Sequence, residues 1–180
     1  MGDRVLYLSM HLARPSILYK NSFLRQSAAI TAEGRLRYLQ QPLTTENFEH
    51  LLQTLFDFEQ LDKIPKGNVP MSVYWLVEGE EFLGNLNLRH CLNDELLYMG
   101  GHIGYFIAPE HRRKGYGCKI LELGLQEAKN RGLEKVLITC DKQNEASAKI
   151  IERNGGVYEN EVWWEPSNDY KKRYWIQLTA

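Results

Sequence analysis

The run from Gly104 to Gly117, Gly-Tyr-Phe-Ile-Ala-Pro-Glu-His-Arg-Arg-Lys-Gly-Tyr-Gly, constrains this chain more than any other segment. It passes from aromatic and β-branched residues through a basic turn with two glycines into the amphipathic stretch Cys118 to Arg131. A strand must therefore deliver the chain almost directly to the start of a helix. A helix begun in this way leaves its first backbone N–H groups without intrahelical acceptors, and its aligned peptide dipoles make that end partly positive. Such an end suits a phosphate or pyrophosphate. Gly115 and Gly117 carry no Cβ, so they are expected to let a ligand come close.

The segments on either side predict one α/β layout. Tyr7 to Ala13 reads as a first strand stopped by Pro15, and Ser16 to Ala32 as a helix with Gly34 just past its end. Phe48, Leu51, Leu52, Leu55 and Phe58 give a second helix one apolar face, with Thr44 or Thr45 as its cap. Ser72 to Val77 and Phe82 to Leu88 form a hairpin signal. The loop around Asn93-Asp94 leads to Gly100-Gly101 and the strand His102 to Ile107. Leu133 to Cys140 reads as a buried parallel strand. Asn144 to Arg153 reads as a helix stopped by Asn154-Gly155-Gly156. Val157 to Trp164 and Arg173 to Leu178 close the chain as strands around a polar segment, with Lys171-Lys172-Arg173 as a solvated turn. The layout is one mixed α+β sheet of about seven strands with helices on both faces, in which the unit from His102 to Cys140 is expected to be a right-handed parallel crossover.

Composition limits what such a fold can serve. At 180 residues, with 43% hydrophobic and 25% charged residues, the chain suits one globular domain spanning residues 1–180. Its net charge of −1, from 22 basic and 23 acidic residues, supplies no global field for nucleic acid or an anionic membrane. Neither partner is expected, and anion binding must be local. No apolar run approaches the roughly 20 residues a membrane span needs, and the first residues lack a secretory pattern, so a cytoplasmic protein is expected. Cys91, Cys118 and Cys140 are too far apart for a zinc-type pair, and no His-Glu-x-x-His pattern occurs, so no metal is expected.

With these residues in view, the chain resembles the GCN5-related N-acetyltransferases. Arg112-Arg113-Lys114-Gly115-Tyr116-Gly117 fits that family's Arg/Gln-x-x-Gly-x-Gly/Ala acetyl-CoA signature, and Asn144 begins an Asn-x-x-Ser/Ala segment that runs to Gly155. The segment Gly100 to Tyr105 and the phrase Ile138 to Lys142 resemble a bacterial subgroup of predicted acetyltransferases. The resemblance implies acetyl-CoA as donor, with the pyrophosphate on the N–H groups of Arg113 to Cys118 and charge from Arg112, Arg113 and Lys114. It implies a pantetheine arm paired with the backbone of Phe106, Ile107 and Ala108, and an amide contact from Asn144. Asn144 is equally an ordinary helix N-cap.

Transfer to an amine needs a base for the ammonium proton and a proton source for the departing thiolate. The family often supplies the acid from a tyrosine after the asparagine, and the matching position here is Ile151. That leaves Tyr105, Tyr158 or a water as proton source. Asp141, at the carboxyl end of a strand, and His102, at the start of one, are the candidate bases. The expected activity is direct acetyl transfer to a primary amine, on a small molecule or a peptide. A non-catalytic acyl-CoA-binding or sensing domain is the alternative. A phosphate loop of the Gly-x-x-x-x-Gly-Lys-Ser/Thr kind is absent from the sequence, which disfavours a nucleotide binder. A homodimer formed through the late strands is compatible with the chain.

Overall fold

The structure, a computed structural model, describes residues 9–35 and 42–178. Four antiparallel strands form one sheet in the order β1-β2-β3-β4: β1 His11–Ala13, β2 Met71–Glu78, β3 Glu81–Arg89 and β4 Ile103–Ile107. A second sheet has the order β5-β7-β6, from β5 Lys135–Asp141, β6 Val157–Trp164 and β7 Asp169–Gln177. Five α-helices accompany them among the described residues: α1 Lys20–Ala32, α2 Phe48–Asp57, α3 Asp94–Tyr98, α4 Tyr116–Asn130 and α5 Glu145–Arg153. None is long and apolar enough to cross a membrane. The part of the expected first strand before Ser9 lies outside the described residues.

Strand β2 shows why helices cover both faces of the first sheet. Val73, Trp75 and Val77 join Phe23 of α1 and Phe48 of α2 in an aromatic core. Leu76, one step out of phase, joins Ile120 and Leu121 of α4 in an aliphatic core. Alternate side chains of a strand point to opposite faces, so both faces need a helical cover. Trp75 is fully buried, with Phe23 stacked on it at 4.6 Å and Phe82 edge-on at 5.4 Å. Helix α1 is also tied to the hairpin by polar contacts. Ser22 Oγ accepts the Phe82 N–H at 2.8 Å, and Gln26 Nε2 donates to the Phe82 carbonyl at 2.8 Å.

The seven-strand layout follows the sequence reading, with four local corrections. The first helix opens with a 3₁₀ turn at Ile17–Tyr19, whose cap is Ser16. The second starts at Phe48, because Thr44 and Asn47 bond each other in the turn ahead of it. Asn93 caps the short helix α3 through the Leu96 N–H, in a segment read as loop. The polar segment before Arg173 is strand: Lys171 pairs in register with Asp141 and is buried to 8% exposure, so the expected solvated turn does not form. Trp175 is half-buried, its ring covered by Lys135 Nζ at 4.5 Å.

The expected parallel strand pair is also replaced. The chain just ahead of β4 meets the middle of β5, through a bridge between Gly101 and Ile138 and a His102 N–H bond to the Leu137 carbonyl at 2.7 Å. A Cβ on Gly101 would stand 2.2 Å from the Leu137 oxygen, and its φ of +64° is a left-handed conformation, so the join needs glycine. Arg89 fastens this turn, donating to the carbonyls of Gly100 at 3.1 Å and Gly101 at 2.8 Å. Beyond the join the two strands part, and every continuous ladder among the described residues is antiparallel.

Candidate functional site

The gap where β4 and β5 part is the mouth of a cavity of about 1070 Å³. Its walls include Gly104 to Ile107 from β4, Thr139 to Asp141 from β5, the turn before α4, and Asn144 and Ser147 of the α5 start. Hydrogen bonding alternates along an antiparallel strand. The Arg89 N–H bonds the His102 carbonyl and the Ala108 N–H bonds the Leu83 carbonyl, so even-numbered β4 residues face β3. Tyr105 and Ile107 therefore turn their backbone groups toward the opening. Of the three expected backbone contacts only Ile107 keeps its backbone toward the opening: Phe106 lines the cavity but its backbone faces β3, and Ala108 is fully buried, with its N–H already bonded.

The basic turn builds the head of the cavity. Among the described residues, the N–H groups of Arg113, Lys114, Gly115, Tyr116 and Gly117 have no acceptor, whereas the Cys118 N–H returns to the Gly115 carbonyl at 3.1 Å. Gly115 occupies the α4 N-cap with φ +85° and offers no side-chain cap, which leaves these donors for a ligand. Arg113 lines the cavity and adopts φ +62°, a rare conformation for a non-glycine residue. Lys114 is exposed and lies off the cavity wall.

Two expected ligand contacts are redirected. Arg112 Nε donates to the Ile107 carbonyl at 3.0 Å, and its two terminal nitrogens reach Glu33 at 2.9 and 2.5 Å. That bidentate bond holds the Glu33 carboxyl below the usual carboxylate range and commits the guanidinium to shaping the turn. Gly117 serves packing: a Cβ there would meet Ile150 Cδ1 of α5 at 2.6 Å, so its missing side chain brings α4 and α5 together.

Below the turn lies a small polar group. Tyr105 Oη and Ser147 Oγ are 3.3 Å apart, both on the cavity wall. Burial pushes the Tyr105 phenol up to about 12, so it stays protonated across the physiological range. Asn144 Oδ1 accepts the Ser147 N–H at 3.0 Å, which fulfils the capping expectation and sets the α5 start beside Tyr105. Burial likewise raises the Cys140 thiol to about 11, which keeps it unreactive. Asp141 lines the cavity and is ion-paired with Lys171 Nζ.

The structure does not bring His102 to this group. Its ring is buried off the cavity wall, and Nδ1 accepts the Leu137 N–H at 2.9 Å. Burial, and then the nearby Arg89 charge, lower its pKa to about 4, so it is a neutral part of the β4–β5 join. Tyr158 is exposed on β6 and stacks edge-on against Tyr174. Ile151 is fully buried in the aliphatic core. That position therefore supplies no proton donor in this chain. Sequence reasoning passed over Ser147 and Lys171. Ser147 could have been found at helical spacing from Asn144, on the same first turn; Lys171 emerges only from its register with Asp141.

The sequence profile of the acetyltransferase (GNAT) domain matches residues 19–157. The chain belongs to the GNAT acetyltransferase family. This GNAT chain is similar to the curated protein "GCN5-related N-acetyltransferase 6, chloroplastic" of Arabidopsis thaliana, at 26% identity over 93 residues. That match covers 49% of this chain and 32% of the relative, so it spans about a third of the relative's length. In structure it resembles the microcin C7 self-immunity acetyltransferase solved with acetyl-CoA and AMP, with a TM-score of 0.64 at 13% identity over 92% of this chain and 91% of that one. It also resembles the ribosomal-protein-S5-alanine acetyltransferase of Vibrio fischeri, with a TM-score of 0.61 at 18% identity over 93% and 91% of the two chains. At such identities the likeness is one of fold.

Proposed function

We propose that this GNAT chain transfers acetyl from acetyl-CoA directly to a primary amine of an acceptor. The observation that carries the reading is the run of unpartnered N–H groups from Arg113 to Gly117, at the head of the same cavity that holds the open β4 edge. Acetyl-CoA supplies an activated thioester and, through its pyrophosphate, the charge these donors lack. The backbone groups of Tyr105 and Ile107 pair with its amide-bearing arm, as a further strand would. An N–H on this edge also faces the oxygen that gains charge during transfer.

In the reaction the amine nitrogen bonds the acyl carbon, the carbon–sulfur bond breaks, and the nitrogen gives up a proton. Asp141 takes that proton; its position on the cavity wall and its ion pair with Lys171 support the role. Tyr105 donates a hydrogen bond to the developing negative charge, steadied by Ser147. The thiolate leaves as the anion and takes its proton from solvent.

Calorimetry with acetyl-CoA, coenzyme A and ATP tests the donor; failure of acetyl-CoA to bind overturns the proposal. Thiol release over a panel of small amines, aminoacyl compounds and peptide N-termini then tests turnover and identifies the acceptor.

A further inference from the structure

We propose that Glu81, Glu110 and His111 form a binding site for a divalent transition-metal ion, zinc in the first instance, that ties the β2–β3 hairpin to the turn entering the phosphate-binding loop. One donor atom from each residue lies within 4.8 Å of the others. His111 Nε2 stands 3.4 Å from Glu81 Oε1 and 3.3 Å from Glu110 Oε1. It has no hydrogen-bond partner, although it is enclosed in a side chain only 14% exposed. A buried imidazole nitrogen that faces two carboxylate oxygens without a hydrogen bond to either leaves room for a cation among them.

The spacing identifies a suitable cation. Zinc binds imidazole nitrogen and carboxylate oxygen at about 2.0–2.2 Å, and the edges of such a tetrahedron measure about 3.3–3.6 Å. Both His111 distances fall at that edge length and exceed those of a charge-assisted hydrogen bond. The surroundings resemble an outer shell. Gln26 Nε2 donates to Glu81 Oε1 at 3.2 Å and Arg25 donates to Glu81 Oε2 at 2.7 Å, so the carboxylate is held in place by α1.

No local motif announces this group, because the hairpin turn supplies one ligand and a 3₁₀ turn after β4 the other two. Since Arg112 follows His111 directly, an ion here fixes the chain where it enters the anion-binding turn. The site is independent of the proposed transfer chemistry: metal binding is read without turnover.

The test is calorimetric titration of zinc chloride into chelator-treated full-length protein, alongside Glu110→Gln and His111→Ala. Glu110 is exposed, so its replacement leaves the fold intact if His111→Ala does not. One equivalent should bind to the unaltered chain, with affinity falling roughly tenfold or more in each variant. Zinc should raise the melting temperature of the unaltered chain only. Absence of binding overturns the proposal. Equal binding in all three proteins overturns it also, by locating the ion elsewhere.

Discussion

Replacing Tyr105 by phenylalanine removes one oxygen from the cavity wall and separates two roles for this side chain. If the phenol passed its proton fully to the departing sulfur, the transfer would run from a group at about 12 to a thiolate whose acid form titrates near 8.5, about 3.5 pKa units uphill. At roughly 1.36 kcal/mol per unit this costs about 5 kcal/mol, so full transfer is the weaker route. A hydrogen bond donated to the developing charge needs no such transfer and contributes roughly 1.5–3 kcal/mol. The expected loss in kcat is therefore about 10- to 150-fold, with little change in acetyl-CoA affinity. Stability should fall only by the worth of the long Ser147 contact, roughly 1 kcal/mol or less. Steady-state thiol release, with a melting curve to confirm folding, measures both. A loss under threefold in a folded variant refutes the role, and a loss above a thousandfold refutes the hydrogen-bond route in favour of full proton transfer.

Other substitutions separate charge from conformation at the cofactor turn and test the strand join. Arg113→Glu should weaken acetyl-CoA binding by about tenfold or more through like-charge repulsion. Arg113→Gly should lose less, because relieving the left-handed backbone returns roughly 1 kcal/mol of stability, readable in a melting curve. Gly101→Ala should destabilise by about 3 kcal/mol or more, since its Cβ would meet the Leu137 carbonyl, which cannot move without opening the β4–β5 join; chemical denaturation checks this. His102 gives a pH signature. With its folded pKa lowered to about 4 from an ordinary 6.5, the unfolded chain binds the extra proton first. Its contribution to stability is complete above about pH 6.5 and is lost as pH falls toward 4. His102→Gln should flatten that part of the melting-temperature profile, and an unchanged slope would assign the effect to another group.

The element order and the anion turn were legible because their causes are local. Helical spacing in Phe48 to Phe58, alternation in Ser72 to Val77 and the glycines before α4 each act over a few residues. Capping by Asn144 was legible for the same reason. What escaped was decided between distant segments. Nothing near Arg112 in sequence announces that Glu33 takes its guanidinium, and nothing near Gly117 names Ile150 as the neighbour it admits.

The sequence by itself determined a strand feeding a helix through a donor-rich turn of the kind that suits an anion. Only the tertiary structure decided which groups stand around the cavity beside it. Gly101 lets the chain just ahead of β4 meet the middle of β5, and the parting of the two strands beyond it leaves backbone donors and acceptors of Tyr105 and Ile107 facing a cavity. Register then puts Lys171 against Asp141, while helix phase puts Ser147 at the cavity and Ile151 in the core. These outcomes depend on how separate elements pack, and a residue's phase relative to a distant partner is not encoded in its neighbours.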